Sequence, residues 1–140
     1  MPVQRDVVEA VLRRLHAAQI ELYAGGDTEA VREVLTNDVT WHVPGRNAIA
    51  GSYRGIEEVI QYFVRRRSLA DQTMRLHPGE VMVGDDHAAV LTDGTAVIDG
   101  VERRWSTVGL YRIRDERVAA CWLLPLDPGA FDEIWSPKAG

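Results

Sequence analysis

Cysteine is nearly absent from this chain. Cys121 is the only one in 140 residues, so no internal disulfide can form and the fold must be held by its core. A single thiol fits a reducing cytoplasm, which is the expected location. Long apolar runs are missing too. None approaches the ~20 residues of a membrane span, and the opening MPVQRDVVEAVLRRLHAAQ lacks the apolar centre of a secretion signal. There is no basic surplus: 16 Lys and Arg against 21 Asp and Glu leave a net charge of −5. That balance argues against nucleic acid, which needs a basic face. The one basic run, Arg65-Arg66-Arg67, reads as the solvated end of a helix, where cations complement the negative dipole end. Spacing for a metal site is lacking as well. His16, His42, His77 and His87 form no i, i+4 or close-strand pair, so neither metal nor cofactor is expected. No Ser-His-Asp or Cys-His unit is visible, and Cys121 reads as a small core residue.

What is present is the pattern of one globular domain over residues 1–140, with no repeat, low-complexity tract or linker. Residues 3–24 read as an amphipathic helix, with Val7, Val8, Val11, Leu12, Leu15, Ala18, Gln19 and Leu22 on one face. Gly25-Gly26 ends it, and Asp27 or Thr28 can cap a short second helix from Thr28 to Leu35. Thr36-Asn37-Asp38 then reads as a turn into a strand that alternates Val39, Trp41 and Val43 with Thr40 and His42. Pro44-Gly45 stops the strand, and Gly51 and Gly55 bracket a second turn. A third helix covers Ile56–Leu69. Four strands follow at Thr73–Val83, His87–Asp99, Val101–Arg114 and Arg117–Leu124, and Ala130–Trp135 closes with a helical turn. His77 before Pro78-Gly79 marks a bulge or bend, and Asp93-Gly94 a bulge or break. The expected class is α+β, in the order α-α-β-α-β-β-β-β. A long meander must twist and curl into a cone, and three helices from the N-terminal half close its concave side. The cone's interior is a natural pocket.

In this arrangement the chain resembles the SnoaL-like branch of the nuclear-transport-factor-two-like superfamily. The resemblance is carried by IELYAGGDTEAV, WHVPGRNAIAGSYRG, STVGLYRIRDERVAACWLLPLD and AFDEIW, in that order. It implies a cystatin-like roll, an apolar pocket and a homodimer formed through the sheet. The family includes polyketide cyclases, ketosteroid isomerases and epoxide hydrolases, and also binding or accessory domains, among which fold cannot choose.

The family's chemical positions are held by unreactive groups. Proton removal from carbon needs a base, and a donor for the developing oxyanion. The isomerase base position corresponds to Val43, its hydroxyl donor to Gln19 and its second acid to about Gly109. The cyclase acid corresponds to Leu123, after Trp122, and its histidine again to about Gly109. A one-residue slip would instead turn His42 and Trp122 inward, and Val43 and Leu123 outward. Asp93, Arg103 and Arg104 offer the groups of an epoxide-opening site, although arginines beside a turn are usually solvated.

Trp41, Tyr53, Phe63, Trp105 and Tyr111 fall on segments expected around the cone, as core or as pocket lining. With Gln19, Val43, Thr107, Gly109 and Leu123, the first four of these form the candidate ligand pocket, and no catalytic residue can be assigned. The expected function is binding of a small, largely apolar molecule of polyketide-, terpenoid- or steroid-like type. A cyclase, isomerase or epoxide hydrolase with relocated acid and base groups, and a non-catalytic dimerisation module, are the alternatives.

Overall fold

The computed structural model describes residues 5–136. Its elements in chain order are α1 (Arg5–Tyr23), α2 (Glu29–Val34), β1 (Leu35–Val43), β2 (Gly51–Arg54), α3 (Ile56–Leu69), β3 (Arg75–Val83), β4 (Ala88–Ile98), β5 (Val101–Arg114), β6 (Arg117–Pro125) and α4 (Pro128–Ile134). The six strands form one sheet in the order β2-β1-β6-β5-β4-β3. Strands β3 to β6 are the expected meander, while β1 joins β6 in parallel.

Helix α1 buries the anticipated Val8, Val11, Leu12, Leu15, Ala18, Gln19 and Leu22, and His16 and Tyr23 besides, whereas Val7 is only half-buried. Residues 3 and 4 of the expected helix lie outside the described residues. Gly25 (φ 109°) takes the left-handed position after the last turn, and Gly26 N–H bonds the Glu21 carbonyl at 2.9 Å. The Asp27 carboxylate accepts from Glu29 N at 3.1 Å as α2 begins.

Two local expectations are corrected. No turn occupies Thr36–Asp38, because β1 starts at Leu35 directly after α2. A register shift between Leu35 and Thr40 absorbs the change of direction instead. Gly51–Gly55 is more than a turn: Gly51–Arg54 is a short edge strand antiparallel to β1, pairing Trp41 with Tyr53. At four residues, mostly exposed, it has no apolar alternation to announce it. The bulge at His77-Pro78-Gly79 is present as a shift between Pro78 and Val81, on the sheet edge where proline is tolerated.

Strand register sorts the side chains. Trp41 pairs with Cys121, Cys121 with Tyr111 and Tyr111 with Ala88, so these four share one face. That face is concave, covered by α1 and α3, and carries Val39, Val43, Leu123, Trp105 and Thr107 as well, all buried. His42 and Trp122 pair on the opposite face, where their rings stack at 5.6 Å and 18°. The convex face also exposes Met82, Leu91, Val97 and Leu124.

Two glycines let the concave face hold large rings. A Cβ on Gly94 would enter the indole of Trp105, its partner on β5, and one on Gly109 would meet the ring and hydroxyl of Tyr111. Gly94 therefore neither breaks nor bulges β4, which runs unbroken through Ala88–Ile98. Helix α4 caps the far end of the cone. Asp127 caps it by accepting from Ala130 N at 3.1 Å, Pro128 fits its first turn, and Phe131, Ile134 and Trp135 are buried. No helix among the described residues is long and apolar enough to cross a membrane.

Gly94→Ala should destabilise the fold by about 1–3 kcal/mol, as overpacking does. A lower urea midpoint would show it. An unchanged midpoint would mean that Trp105 can leave the glycine at no cost.

Candidate functional site

Helix α3 decides what the cone contains. Its buried stripe is Val59, Phe63 and Arg66, at spacings of four and three residues, with Tyr62 alongside. The stripe carries the middle residue of the arginine run inward. The expectation of a solvated run thus holds for Arg65, which is exposed, and fails for Arg66, which is 5% exposed. Three successive residues on a helix point 100° apart, so a run of three cannot all face water when the helix lies on a sheet. Arg67 is half-buried: its Nη1 donates to the carbonyls of Gly26 (3.0 Å) and Leu22 (3.4 Å), tying α3 to the end of α1.

Arg66 lies in an aromatic cage. Its Cζ is 4.6 Å from the ring centroid of Trp135, 5.6 Å from Trp105 and 5.9 Å from Phe131. Nη1 donates to the Tyr62 hydroxyl at 3.2 Å, and Nε has no partner. No Asp or Glu is buried among the described residues, and no carboxylate lies within ion-pairing distance of Arg66. Taking a guanidinium out of water costs several kcal/mol. Each ring face returns roughly 0.5–2 kcal/mol. The cage therefore lowers the cost without supplying a counter-charge.

Other donors in the interior are also unsatisfied: the Tyr23 hydroxyl, Trp41 Nε1 and Trp135 Nε1. Burial raises the Tyr23 pKa and the Arg66 charge opposes the rise; burial likewise raises Tyr62. These phenols stay protonated and able to donate. Ring contacts connect the set. Trp41 meets Phe63 edge-on at 4.9 Å and lies 6.3 Å from Tyr62, and Tyr23 meets Phe63 at 6.2 Å.

A second polar group sits at the α1 side. His16 Nδ1 is 2.7 Å from the Leu12 carbonyl, so Nδ1 carries the hydrogen there and Nε2 accepts from Tyr111 OH at 3.4 Å. Burial lowers the His16 pKa, partly offset by the Leu12 bond. His16 also lines a groove of ≈ 550 Å³ between α1 and β3, with Ala17, Ile20, Pro78 and Val81. Burial pushes the Tyr111 hydroxyl and the Cys121 thiol well above their usual values, leaving Cys121 a protonated core group.

The structure gathers most of the expected pocket residues on one surface. Gln19, Trp41, Val43, Phe63, Trp105, Thr107, Gly109 and Leu123 are all buried, on the concave face or the helices against it. Tyr53 is half-buried on edge strand β2, tilted 31° against Tyr62 at 4.7 Å, with its hydroxyl donating to the Ile49 carbonyl at 2.7 Å. Trp41 and Trp105 lie toward different ends, linked through Tyr62 and Arg66. The space over Gly109 is occupied by Tyr111. The epoxide-opening set is not assembled. Asp93 accepts from Ser106 Oγ at 2.6 Å and shares an exposed groove with Arg104, whereas Arg103, its neighbour, points to the other face. Arg66, Tyr23 and Trp135 were missed from sequence. Arg66 was legible in principle, three residues after Phe63 and seven after Val59 on the same stripe.

The pattern of the SnoaL-like domain matches residues 16–121, more than half of the chain. Among curated relatives, the uncharacterized protein Rv0034 of Mycobacterium tuberculosis is 32% identical over 76 residues, 54% of this chain and 55% of that protein. The match thus spans about half the length of the curated relatives. Among solved structures, Bal32a from a soil-derived mobile gene cassette is 25% identical, with a TM-score of 0.84 over 93% of this chain and 97% of its own. TerC, co-crystallised with polyporic acid, is 19% identical, with a TM-score of 0.77 over 91% of this chain and 96% of its own.

Because the folded His16 pKa lies below its usual ~6.5, the unfolded chain binds the extra proton first as pH falls. Stability is therefore full above about pH 6.5 and declines toward the lower folded value, by at most ~1.4 kcal/mol per pH unit. His16→Gln should flatten this part of the urea-midpoint profile. An unaltered slope would assign the acid sensitivity to other groups.

Proposed function

The chain belongs to the SnoaL-like domain family, and from that premise we propose that its cone binds a small, largely apolar molecule of polyketide-, terpenoid- or steroid-like type. The observation that carries this reading is the concave face itself. It combines aromatic rings with buried donors that have no partner, Tyr23 OH and Trp41 Nε1 among them, and it holds no carboxylate. Buried polar atoms in folded proteins are nearly always satisfied, and a ligand oxygen would satisfy these. Val43, Gln19, Gly109 and Leu123, at the family's chemical positions, favour binding over proton transfer. TerC, which shares the fold, was co-crystallised with a small molecule. The single buried Cys121 suits a cytoplasmic setting.

A thermal-shift panel of apolar ring compounds tests the proposal. A ligand at 100 times its Kd adds about 2.7 kcal/mol, a shift of several degrees, and Trp41→Ala should weaken it. A panel that moves nothing overturns the reading.

A second reading, enolisation by relocated groups, is favoured by His16, whose neutral Nε2 faces Tyr111 beside the groove between α1 and β3. It predicts deuterium uptake from solvent by a bound ketone, lost in His16→Gln. Uptake that survives the substitution would sink it. The exposed apolar residues of the convex face, Met82, Leu91, Val97 and Leu124, support a homodimer through the sheet. Light scattering should then give the mass of two chains, and Leu124→Asp that of one. A strictly monomeric parent protein removes the dimer.

A further inference from the structure

We propose that the ligand of the cone is an organic acid and that Arg66 binds its carboxylate. The inference rests on the small-molecule reading above and narrows it to one chemical class. Arg66 is 5% exposed and has rings over its guanidinium, with Trp135 nearest at 4.6 Å. Ring faces satisfy the π-surface of a guanidinium but take none of its N–H bonds. Those bonds lie in its plane. One of them, from Nη1, goes to Tyr62 OH, and Nε has no partner. The edge of the fork is thus the part without a complement, and a carboxylate is the group whose two oxygens match that edge.

The surroundings agree in sign. Among the described residues no Asp or Glu is buried to compete for the cation. Trp135 Nε1 is a further buried donor without an acceptor, and the Tyr23 hydroxyl lies close enough to Arg66 to feel its charge. On β5, Arg103, two residues before Trp105 and on its face, has a buried Nε that also lacks a partner. A neutral hydrocarbon would leave every one of these donors unmet, whereas an acid with an apolar body meets the cation and lays its body along the rings.

Helix α4 covers the cage. That helix brings Phe131 to the cage, and Trp135 follows at its end. It is held to the loop after β1 by Asp132, which accepts from Arg46 N (3.1 Å) and Asn47 Nδ2 (2.7 Å), and by Ala48 N–H on the Trp135 carbonyl (2.8 Å). These bonds and the buried side chains of Phe131, Ile134 and Trp135 hold α4 over the guanidinium.

Matched pairs of carboxylic acid and primary amide, from naphthoic acid to a steroid carboxylic acid, test the proposal on the unaltered protein by thermal shift and calorimetry. The acid should bind about tenfold or more tighter than its amide, as a charge-assisted pair does. Arg66→Gln should bring the two within about twofold while amide binding persists. Equal binding of acid and amide to the parent protein overturns the anion site and leaves the apolar-ligand reading standing. Binding of neither, across the whole panel, overturns both. If Arg66→Gln does not fold, the comparison on the parent protein still decides, and Arg66→Lys, which keeps a cation, should retain part of the preference. Stabilisation by sodium chloride or sodium phosphate equal to that by the organic acids reduces the site to a general ion site and also overturns the proposal.

Discussion

The concave side of a curled sheet has to be filled. A six-stranded sheet that bends around two helices leaves a tapering interior, and interiors are close-packed. Here the filling is aromatic. Trp41, Phe63, Trp105, Tyr111 and Trp135 line the concave side, and Gly94 and Gly109 are glycines because Trp105 and Tyr111 lie where their side chains would be. Ring lies close over glycine on both β4 and β5, on the side that the helices cover.

That filling also sets the electrostatics. Rings shield a cation tolerably but cannot neutralise it, and phenols held protonated by burial add donors without adding charge. The interior becomes rich in N–H and O–H groups and has no carboxylate to accept from them. Groups of this kind can donate to an oxygen atom but cannot take a proton from carbon. His16 and Tyr111, on the α1 side of the cone, share a hydrogen bond that turns the imidazole's lone pair toward Tyr111.

Much of the fold was legible because it is written in local period. The helical stripe of α1, the glycine and proline stops and the alternation Val39-Trp41-Val43 all depend on near neighbours in the chain. Strand β2 was not legible, since four largely exposed residues make a strand only by pairing with β1. The short run Thr36–Asp38 looked like a turn by composition and is a strand irregularity by pairing. In the candidate site, the face of Trp41 and Leu123 followed from period two once the register was known, whereas the ring that occupies the space over Gly109 is a neighbour two residues on, folded back onto the sheet.

The sequence by itself determined the family, most of the element order and the unreactive residue types at positions 19, 43, 109 and 123. Each of these is a property of residue type at a position, or of spacing within one element. Only the tertiary structure decided that Arg66 is enclosed. An arginine in a basic run is ordinarily solvated, and its enclosure required α3 to lie on the sheet, β5 to bring Trp105 and α4 to bring Phe131 and Trp135 from the far end of the chain. Burial is a property of what surrounds a residue, and here three separate segments supply the surroundings.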